Sequence, residues 1–506
     1  MVAMKTTLQR IAVVVLFLVA TTPLIAIAQQ ETPPAPAAPR STTLPKPVER
    51  TLKNGLRVIV IERTVDHGGM PLISAQLLVK NGGEVDPPEM AGLANMTAAL
   101  LTKGTQTRTA PQIAEAIEAL GGSINSGGRW DSSVAGVGVI SSKTPQAMEI
   151  LADVVRNPSF KDEEIERLRQ QTLDQLRVAM RSPGQLARFV ASRVVFGDTP
   201  YGHLLTGTPE SISRIKRDDI VRLHTTYYRP DNAILIIGGD IKADDAFKLA
   251  ERLFGDWNNP ATPLPAFKAS GAELLSKIKP RVLVIDKPDA GQAAVILTRP
   301  ALQRTDPDYF RALVTNSVLS GFSGRLNQEI RIKRGLSYGA ASIMEVRRDV
   351  GPFTATAQTK NETGAEVAGL LMSELARLSS EPVADVELTP RKAVLIGGFG
   401  RSLETTGGLV SQVGALALYG LSLSEINNYI NNVQGVSASD VQKFAGSRLG
   451  SKDASIVIVG DASKFLDKLR QQFPNVEVIR AADLDLNSAN LRRAGSTEAG
   501  NQAVKP

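Results

Sequence analysis

Histidine and cysteine are the side chains that most often bind zinc or act as bases and nucleophiles, and this sequence is poor in both. Its 506 residues include no cysteine and three histidines, His67, His203 and His224. No two of these histidines lie at a local spacing that would place both imidazoles on one metal ion. A zinc site would need distant histidines combined with carboxylates, which is an unusual ligand set for zinc. The residue types therefore argue against a metal site in this chain.

Glycine-rich and basic segments do not add another chemistry. Residues 397–402 read Gly-Gly-Phe-Gly-Arg-Ser, which is similar to a phosphate-binding loop but lacks the Gly-Lys-Ser/Thr ending of that motif. We interpret this segment as a place where a helix breaks or packs closely. The net charge of +7 is small for this length, and no basic cluster with interleaved aromatic residues occurs, so nucleic-acid binding is not supported.

The first 28 residues predict a cleavable signal peptide. Two basic residues precede an apolar stretch at 11–20, and the small residues Ala26 and Ala28 mark the cleavage position. An uncleaved membrane anchor is the alternative, but the apolar stretch is short and Pro23 follows it closely. Residues 29–46 are rich in Pro and Ala and predict a disordered tether. We therefore expect an exported, periplasmic protein that relies on its core for stability.

An internal repeat predicts two copies of one domain. Asp219 and Asp240 recur as Asp440 and Asp461, in each case 221 residues later. Each copy reads as an amphipathic helix and then an apolar strand that ends in a Gly-Asp turn. The period is too long for a solenoid repeat and fits two domains of ordinary size.

The repeat also sets the expected domain boundaries. We place the two copies at 47–245 and 272–480. The linker is predicted at 246–271, where Pro and polar residues accumulate, and a polar tail is predicted at 481–506.

The elements of the first copy predict an α+β arrangement. Apolar runs at 56–61 and 72–79 are typical of strands, and a helix is expected over 162–180. Another helix follows Asp86, which we expect to cap it. Its predicted buried stripe consists of Leu93, Met96 and Leu100. Strands and helices mixed in this order favour layers of helices on a sheet.

An ordered set of short motifs runs through nearly the whole mature chain. Residues 92–105 fit the frame Gly-Leu-Ala, five variable residues, Leu, two variable residues and Lys-Gly-Thr. The other segments of the set are 198–202, 207–212, 227–232, the strand before Asp240, 330–338, 403–405 and 419–421. Together these segments resemble the insulinase/pitrilysin family of metallopeptidases. The resemblance implies two tandem homologous domains of the mitochondrial-processing-peptidase type, each with helices and an antiparallel sheet, which together form one half of a clamshell.

The residues that would bind zinc in the family are replaced in this sequence. The five variable positions carry His-x-x-Glu-His in the family, whereas here Asn95, Ala98 and Ala99 occupy the ligand and base positions. Aligning the segment 173–183 with the family pattern places Gln175 at the third ligand position, with Asp174 beside it as the alternative. The resemblance therefore implies a degenerate metal site and no cofactor in this chain.

A second family signature is intact. Arg331 and Tyr338 match the Arg-x6-Tyr pattern, whose two side chains contact the substrate beside the zinc in the family. A guanidinium and a phenol can stabilise substrate carbonyl groups and a developing oxyanion. The alternative is a structural role, with Arg331 in a surface ion pair and Tyr338 packed at the start of a strand.

The loss of one site and the retention of the other favour a non-catalytic subunit of a heterodimeric zinc metalloendopeptidase. The resemblance implies that a zinc-bearing homologous subunit completes the peptide chamber, and that Arg331 and Tyr338 assist it in trans. Peptides in such chambers add a strand to an exposed sheet edge, which we expect to be 72–79 here. The alternatives are a stand-alone or homodimeric peptide-binding protein, or a self-sufficient peptidase with unorthodox ligands.

Overall fold

Two six-stranded sheets form the framework of the chain, one in each half of the sequence. The computed structural model describes residues 45–267, 269 and 275–495. The predicted signal peptide lies outside the described residues, as does the predicted tether apart from residues 45 and 46. Within the described ranges, no helix is both long enough and apolar enough to span a membrane.

The first half alternates between strands and helices. Its strands are β1 (Val48–Thr51), β2 (Arg57–Glu62), β3 (Leu72–Val79), β4 (Ser123–Gly128), β5 (Ser133–Ile140) and β6 (Ala233–Gly239). Its helices are α1 (Leu93–Leu100), α2 (Ala110–Glu118), α3 (Thr144–Arg156), α4 (Asp162–Arg181), α5 (Pro183–Phe196), α6 (Pro209–Arg214), α7 (Arg217–Tyr227) and α8 (Ala243–Phe254).

The second half repeats this order from β2 onward and ends with an additional strand, β12. Its strands are β7 (Val282–Asp286), β8 (Ala293–Pro300), β9 (Ala340–Met344), β10 (Pro352–Thr359), β11 (Ser455–Gly460) and β12 (Val476–Arg480). Its helices are α9 (Tyr309–Leu319), α10 (Arg325–Asn327), α11 (Gly364–Ser380), α12 (Asp385–Glu404), α13 (Thr406–Leu418), α14 (Glu425–Gly435), α15 (Ala438–Arg448) and α16 (Leu466–Gln472). A π-helical turn at Gln328–Lys333 directly continues α10.

The repeated segment has the predicted structure in both halves. The carboxylate of Asp219 accepts a hydrogen bond from the backbone N–H of Lys216 at 2.9 Å, and that of Asp440 accepts one from Ser437 at 2.9 Å. These bonds satisfy otherwise unpaired N–H groups at the first turns of α7 and α15. The strands that follow, β6 and β11, are buried along their whole length.

Both sheets are mixed, and the second repeats the first. The strand orders are β1-β2-β6-β3-β5-β4 and β12-β7-β11-β8-β10-β9. In each sheet the repeated strand is parallel to one neighbour, with β6 beside β2 and β11 beside β7. The remaining described pairs are antiparallel except β12 with β7. The predicted α+β class is therefore confirmed.

The predicted peptide-pairing edge is wrong. Strand β3, at 72–79, pairs with β5 on one side and β6 on the other, so its backbone groups already bond within the sheet. The two edges of this sheet are formed by β1, which pairs with β2 alone, and by β4, which pairs with β5 alone. The apolar pattern of β3 indicates a central strand, whereas the glycines and serines of β4 gave no strand signal.

Each half contributes one helix to the sheet of the other half. The apolar residues of α5 pack against β7, β8 and β11 of the second sheet. Correspondingly, α13 packs against β2, β3 and β6 of the first sheet. The opposite face of each sheet holds the larger core of its own half. Sheets covered on both faces explain the continuous apolar runs of their central strands.

Two predictions of domain boundaries and one prediction of a helix break need correction. The linker does not begin at 246, because α8 continues to Phe254 and its apolar side packs in the first core. Residues 481–495 are not a free polar tail, because three leucines in this segment, Leu484, Leu486 and Leu491, are buried against the second sheet. The glycine-rich segment 397–402 does not break a helix, because α12 continues through it.

Candidate functional site

The degenerate helix α1 is held in place by a buried carboxylate. Asp86 accepts hydrogen bonds from the backbone N–H groups of Gly92 at 2.8 Å and Ala94 at 2.7 Å. Asp86 thus caps the helix from upstream, although the residue in the N-cap position is Gly92. Complete burial raises the pKa of the Asp86 carboxyl group well above its ordinary value, and the two N–H donors oppose this rise.

Strand β4 lies directly against the first turn of α1. A Cβ atom added to Gly128 would lie 2.7 Å from the Cα atom of Asn95, so only glycine permits this approach. At Gly127 the same addition would meet no atom within 4 Å. The exposed sheet edge and the degenerate helix are therefore adjacent, which the motifs alone did not indicate.

The resemblance implies four positions for the zinc ligands and the general base, and the residues at these positions can neither bind zinc nor act as a base. Ala98 is fully buried, Asn95 and Ala99 are half-buried, and Gln175 is exposed on α4. Neither methyl groups nor carboxamides supply the imidazole and carboxylate groups of a zinc site. The alternative ligand Asp174 is 69% exposed and forms an ion pair with Arg177. Among the described residues, no group of three or more His, Cys, Asp or Glu side chains could hold a metal ion.

Two of the histidines contact backbone carbonyl oxygens. The Nε2 atom of His203 lies 2.8 Å from the carbonyl oxygen of Gly83, and that of His224 lies 2.8 Å from the carbonyl oxygen of Val155. Burial lowers the pKa of each ring to about 4, so both are neutral at pH 7. The side chain of His67 lies outside the described part of the structure.

Arg331 lies in the π-helical turn, among cations that are already paired. Glu329 binds Lys333 at 2.9 Å and Arg334 at 3.0 Å. Among the described residues, no carboxylate pairs with Arg331, whose guanidinium carbon lies 5.2 Å from the ring centre of Phe322. Phe322 is itself 73% exposed. Within the described residues, Arg331 is therefore a cation of this turn without a carboxylate partner, and π-helical turns of this kind are frequent at functional sites.

Tyr338 is presented to solvent immediately before β9. Its side chain is 92% exposed and accepts or donates no hydrogen bond within the described residues. The loop that carries it is anchored by Leu336, whose carbonyl oxygen accepts a hydrogen bond from Thr359 at 2.6 Å. Within the described residues, Arg331 forms no ion pair and Tyr338 is not packed, and the role of the two side chains stays a prediction.

A buried polar network that no sequence motif indicates lies between the two halves. The carboxylate of Asp131 accepts hydrogen bonds from the hydroxyl groups of Tyr201 at 2.5 Å and Tyr419 at 3.0 Å, and from the backbone N–H of Arg348 at 2.8 Å. The Arg348 side chain also lies 3.3 Å from Glu84. These residues come from segments that are far apart in the sequence, so no local pattern could have identified them.

The intact and the degenerate motifs both lie in segments that match models of one protein family. The sequence model of insulinase (peptidase family M16) matches residues 68–208, and that of the peptidase M16 inactive domain matches residues 214–395. The chain belongs to the insulinase (M16) peptidase family. The first match covers the degenerate helix, and the second covers Arg331 and Tyr338.

Relatives of this M16 chain cover nearly its whole folded length. An uncharacterized zinc protease from Rickettsia bellii is 28% identical over 425 residues, which is 81% of this chain and 96% of the relative. An uncharacterized zinc protease from Streptomyces coelicolor is 25% identical over 441 residues, 84% of this chain and 95% of the relative.

Solved structures of the family share the fold. A peptidase M16 inactive domain from Pseudomonas fluorescens superposes with a TM-score of 0.75 at 25% identity, covering 82% of this chain and 98% of that one. A protease from Helicobacter pylori gives a TM-score of 0.74 at 22% identity, covering 82% of this chain and 100% of that one. The half-clamshell architecture and a non-catalytic M16 chain are thus supported.

Proposed function

We propose that this chain is the non-catalytic subunit of a heterodimeric zinc metalloendopeptidase in the periplasm. A homologous partner would supply zinc and the general base. This chain would shape the peptide chamber and contribute Arg331 and Tyr338 to the partner's active site. The predicted signal peptide supports the compartment, and the family names of its relatives support the zinc chemistry of the partner.

The observation that carries the proposal is the contrast between the two signatures. Ala98 is buried and methyl-sized where a general base would stand, so the zinc helix here has become part of a packed core. The side chains of Arg331 and Tyr338 have no hydrogen-bond or ion-pair partner among the described residues; Arg331 is half-buried in the π-helical turn, and Tyr338 is exposed just before the edge strand β9. An unpaired guanidinium and phenol are suited to stabilise an oxyanion that forms on a substrate held by another subunit.

Peptide pairing in this chain would use β4 rather than β3. Strand β4 has one unpaired side and lies beside α1, so an extended peptide could add to the first sheet there. Main-chain hydrogen bonds would provide most of the recognition, so peptides of different sequences could bind.

Co-purification with a zinc-bearing homologue from the same bacterium tests the proposal. The complex should hydrolyse an internally quenched peptide, and neither chain alone should do so at a comparable rate. Because a transition-state contact is lost, Arg331→Ala and Tyr338→Phe should each lower kcat/KM of the complex at least about tenfold.

Lys333→Ala provides the matched control, because Lys333 lies on the same turn but is paired with Glu329. It should leave kcat/KM within about twofold of the unmodified complex, since an exposed ion pair contributes little. Unchanged rates in both signature variants would contradict the role in trans. Failure to bind any zinc-bearing homologue, together with peptide binding without turnover, would favour a stand-alone or homodimeric peptide-binding protein.

A further inference from the structure

A mostly apolar cavity of about 350 Å3 lies between α5 and the exposed part of the second sheet. Its size is within the range of sites that bind small ligands or single large side chains. The helix contributes Phe189 and Val195, and the edge strand β9 contributes Ile343. The remaining apolar groups of the wall include Trp130, Phe196 and Leu205. Residues of both halves therefore build this cavity.

The lining of the cavity includes a cation that is already paired. The guanidinium of Arg347 lies within 5 Å of the ring centres of Trp130, Phe196 and Tyr201. Its Nε and Nη2 atoms both lie 3.0 Å from Glu345 Oε1. The Arg347 side chain is only 5% exposed, so it contributes an aromatic cluster to the wall rather than an accessible positive charge.

The lining also includes an accessible cation. Arg188, on α5, is exposed, and among the described residues no carboxylate pairs with it. Arg188 also lines a second cavity of about 270 Å3, so it stands at the junction of the two. The second cavity contains Tyr338 and the carboxamides of Gln292 and Gln358. Carboxamides and a phenol can donate to and accept from peptide groups.

We infer that the two cavities together bind the C-terminal end of a peptide that finishes in a large apolar residue. The last side chain enters the apolar cavity, Arg188 binds the terminal carboxylate, and Gln292 and Gln358 bind the preceding peptide groups. A guanidinium matches a carboxylate geometrically. A hydrocarbon chain would leave the carboxamides without partners, so a peptide fits better than a fatty acid.

This inference rests on the proposed function in one respect, namely that the chamber holds peptides. It needs neither the partner nor zinc, because the binding groups all belong to this chain. Binding measured on this chain alone therefore fails or succeeds independently of hydrolysis by the complex.

Tryptophan fluorescence gives a direct readout, because the chain has two tryptophans and Trp130 lines the apolar cavity. In a Trp257→Phe background, acetyl-Ala-Gly-Ala-Leu with a free carboxyl group should shift the emission of Trp130 in a saturable way. The same peptide with a C-terminal amide should bind at least about tenfold more weakly. Arg188→Ala should remove this preference for the free acid, and Arg188→Lys should restore part of it.

Two further variants separate the inference from nonspecific effects. Ala341→Phe, at an exposed position that lines the cavity, should block binding of the peptide. Arg181→Ala removes an exposed arginine outside both cavities and should leave the affinity unchanged. The inference would be overturned if the acid and the amide bound equally, or if Arg188→Ala kept the preference for the free acid. Equal affinity for decanoate would also overturn it.

Discussion

The buried carboxyl group of Glu84 lies where the two halves meet. Glu84 accepts hydrogen bonds from Asn81 Nδ2 at 2.9 Å and from the backbone N–H of Gly82 at 2.7 Å, and Arg348 of the second half lies 3.3 Å away. Burial nevertheless raises the pKa of the Glu84 carboxyl group to about 7, because desolvation outweighs the attraction of Arg348, and the charge of Asp131 adds to the rise. The raised pKa thus accompanies an ion pair between the halves.

Glu84 should make the free energy of unfolding depend on pH. Since its pKa is higher in the folded chain than in the unfolded one, the folded state binds the proton more tightly. Its contribution to stability is therefore full below about pH 4.5 and is lost as pH rises toward about 7. Relative to Glu84→Gln, the wild-type chain should lose up to about 3 kcal/mol between pH 4.5 and 8 in urea unfolding.

Glu89→Gln serves as the control for this measurement, because Glu89 is exposed a few residues away. Its difference from the wild-type chain should stay constant across the same range. A Glu84→Gln difference that is equally constant would show that the Glu84 carboxyl group does not titrate as described.

At the scale of elements, the contact between α1 and β4 links the degenerate site to the sheet edge. The helix buries its predicted stripe, since Leu93, Met96 and Leu100 are all at most 3% exposed. Its other side meets β4, where Gly128 allows the backbones to approach. Helix α1 therefore carries no imidazole or carboxylate at the positions where the resemblance implies zinc ligands, and it lies beside the edge strand.

Gly128→Ala should separate these two elements. The added Cβ would lie 2.7 Å from the backbone of Asn95, so the strand or the helix must shift, at a cost of about 1–3 kcal/mol. Gly127→Ala, which meets nothing within 4 Å, should stay within about 1 kcal/mol of the wild-type chain. Equal urea midpoints for the two variants would contradict the close packing of α1 on β4.

At the scale of the whole molecule, the halves are joined by exchanged helices and by the segment 481–495. Helix α5 of the first half and the leucines of this segment share one apolar cluster on the second sheet. The buried guanidinium of Arg193 reinforces it, because its Nη2 donates to the carbonyl oxygen of Leu486 at 3.1 Å. Neither half would keep its sheet covered on both faces by its own helices alone.

Deletion of residues 481–506 should therefore destabilise the protein strongly. It removes three buried leucines from the cluster on the second sheet, and each contributes roughly 1.5–3 kcal/mol by burial. The free energy of unfolding should fall by at least about 3 kcal/mol in urea titrations. Deletion of 496–506 alone keeps these leucines and should have little effect; equal stabilities of the two truncated chains would contradict their role.

Local patterns predicted the features that depend on residues close in sequence. The helix over 162–180, the strand over 72–79 and the repeated helix–strand unit are all confirmed. Periodicity and composition report directly on which side of an element is buried, which explains this success. The same patterns could not place β4, because its glycines and serines carry no strand signal and its pairing depends on β5.

The sequence by itself determined the family, the α+β class, the internal duplication and the replacement of the zinc ligands, because residue types and spacing carry these features. The tertiary structure decided which strands form the sheet edges, which helices cross between the halves and that the leucines after 480 are buried. It also showed that Arg331 and Tyr338 have no hydrogen-bond or ion-pair partner in the described part of the chain, whereas neighbouring charges are paired. Those properties arise from contacts between distant segments, and only the folded chain brings such segments together.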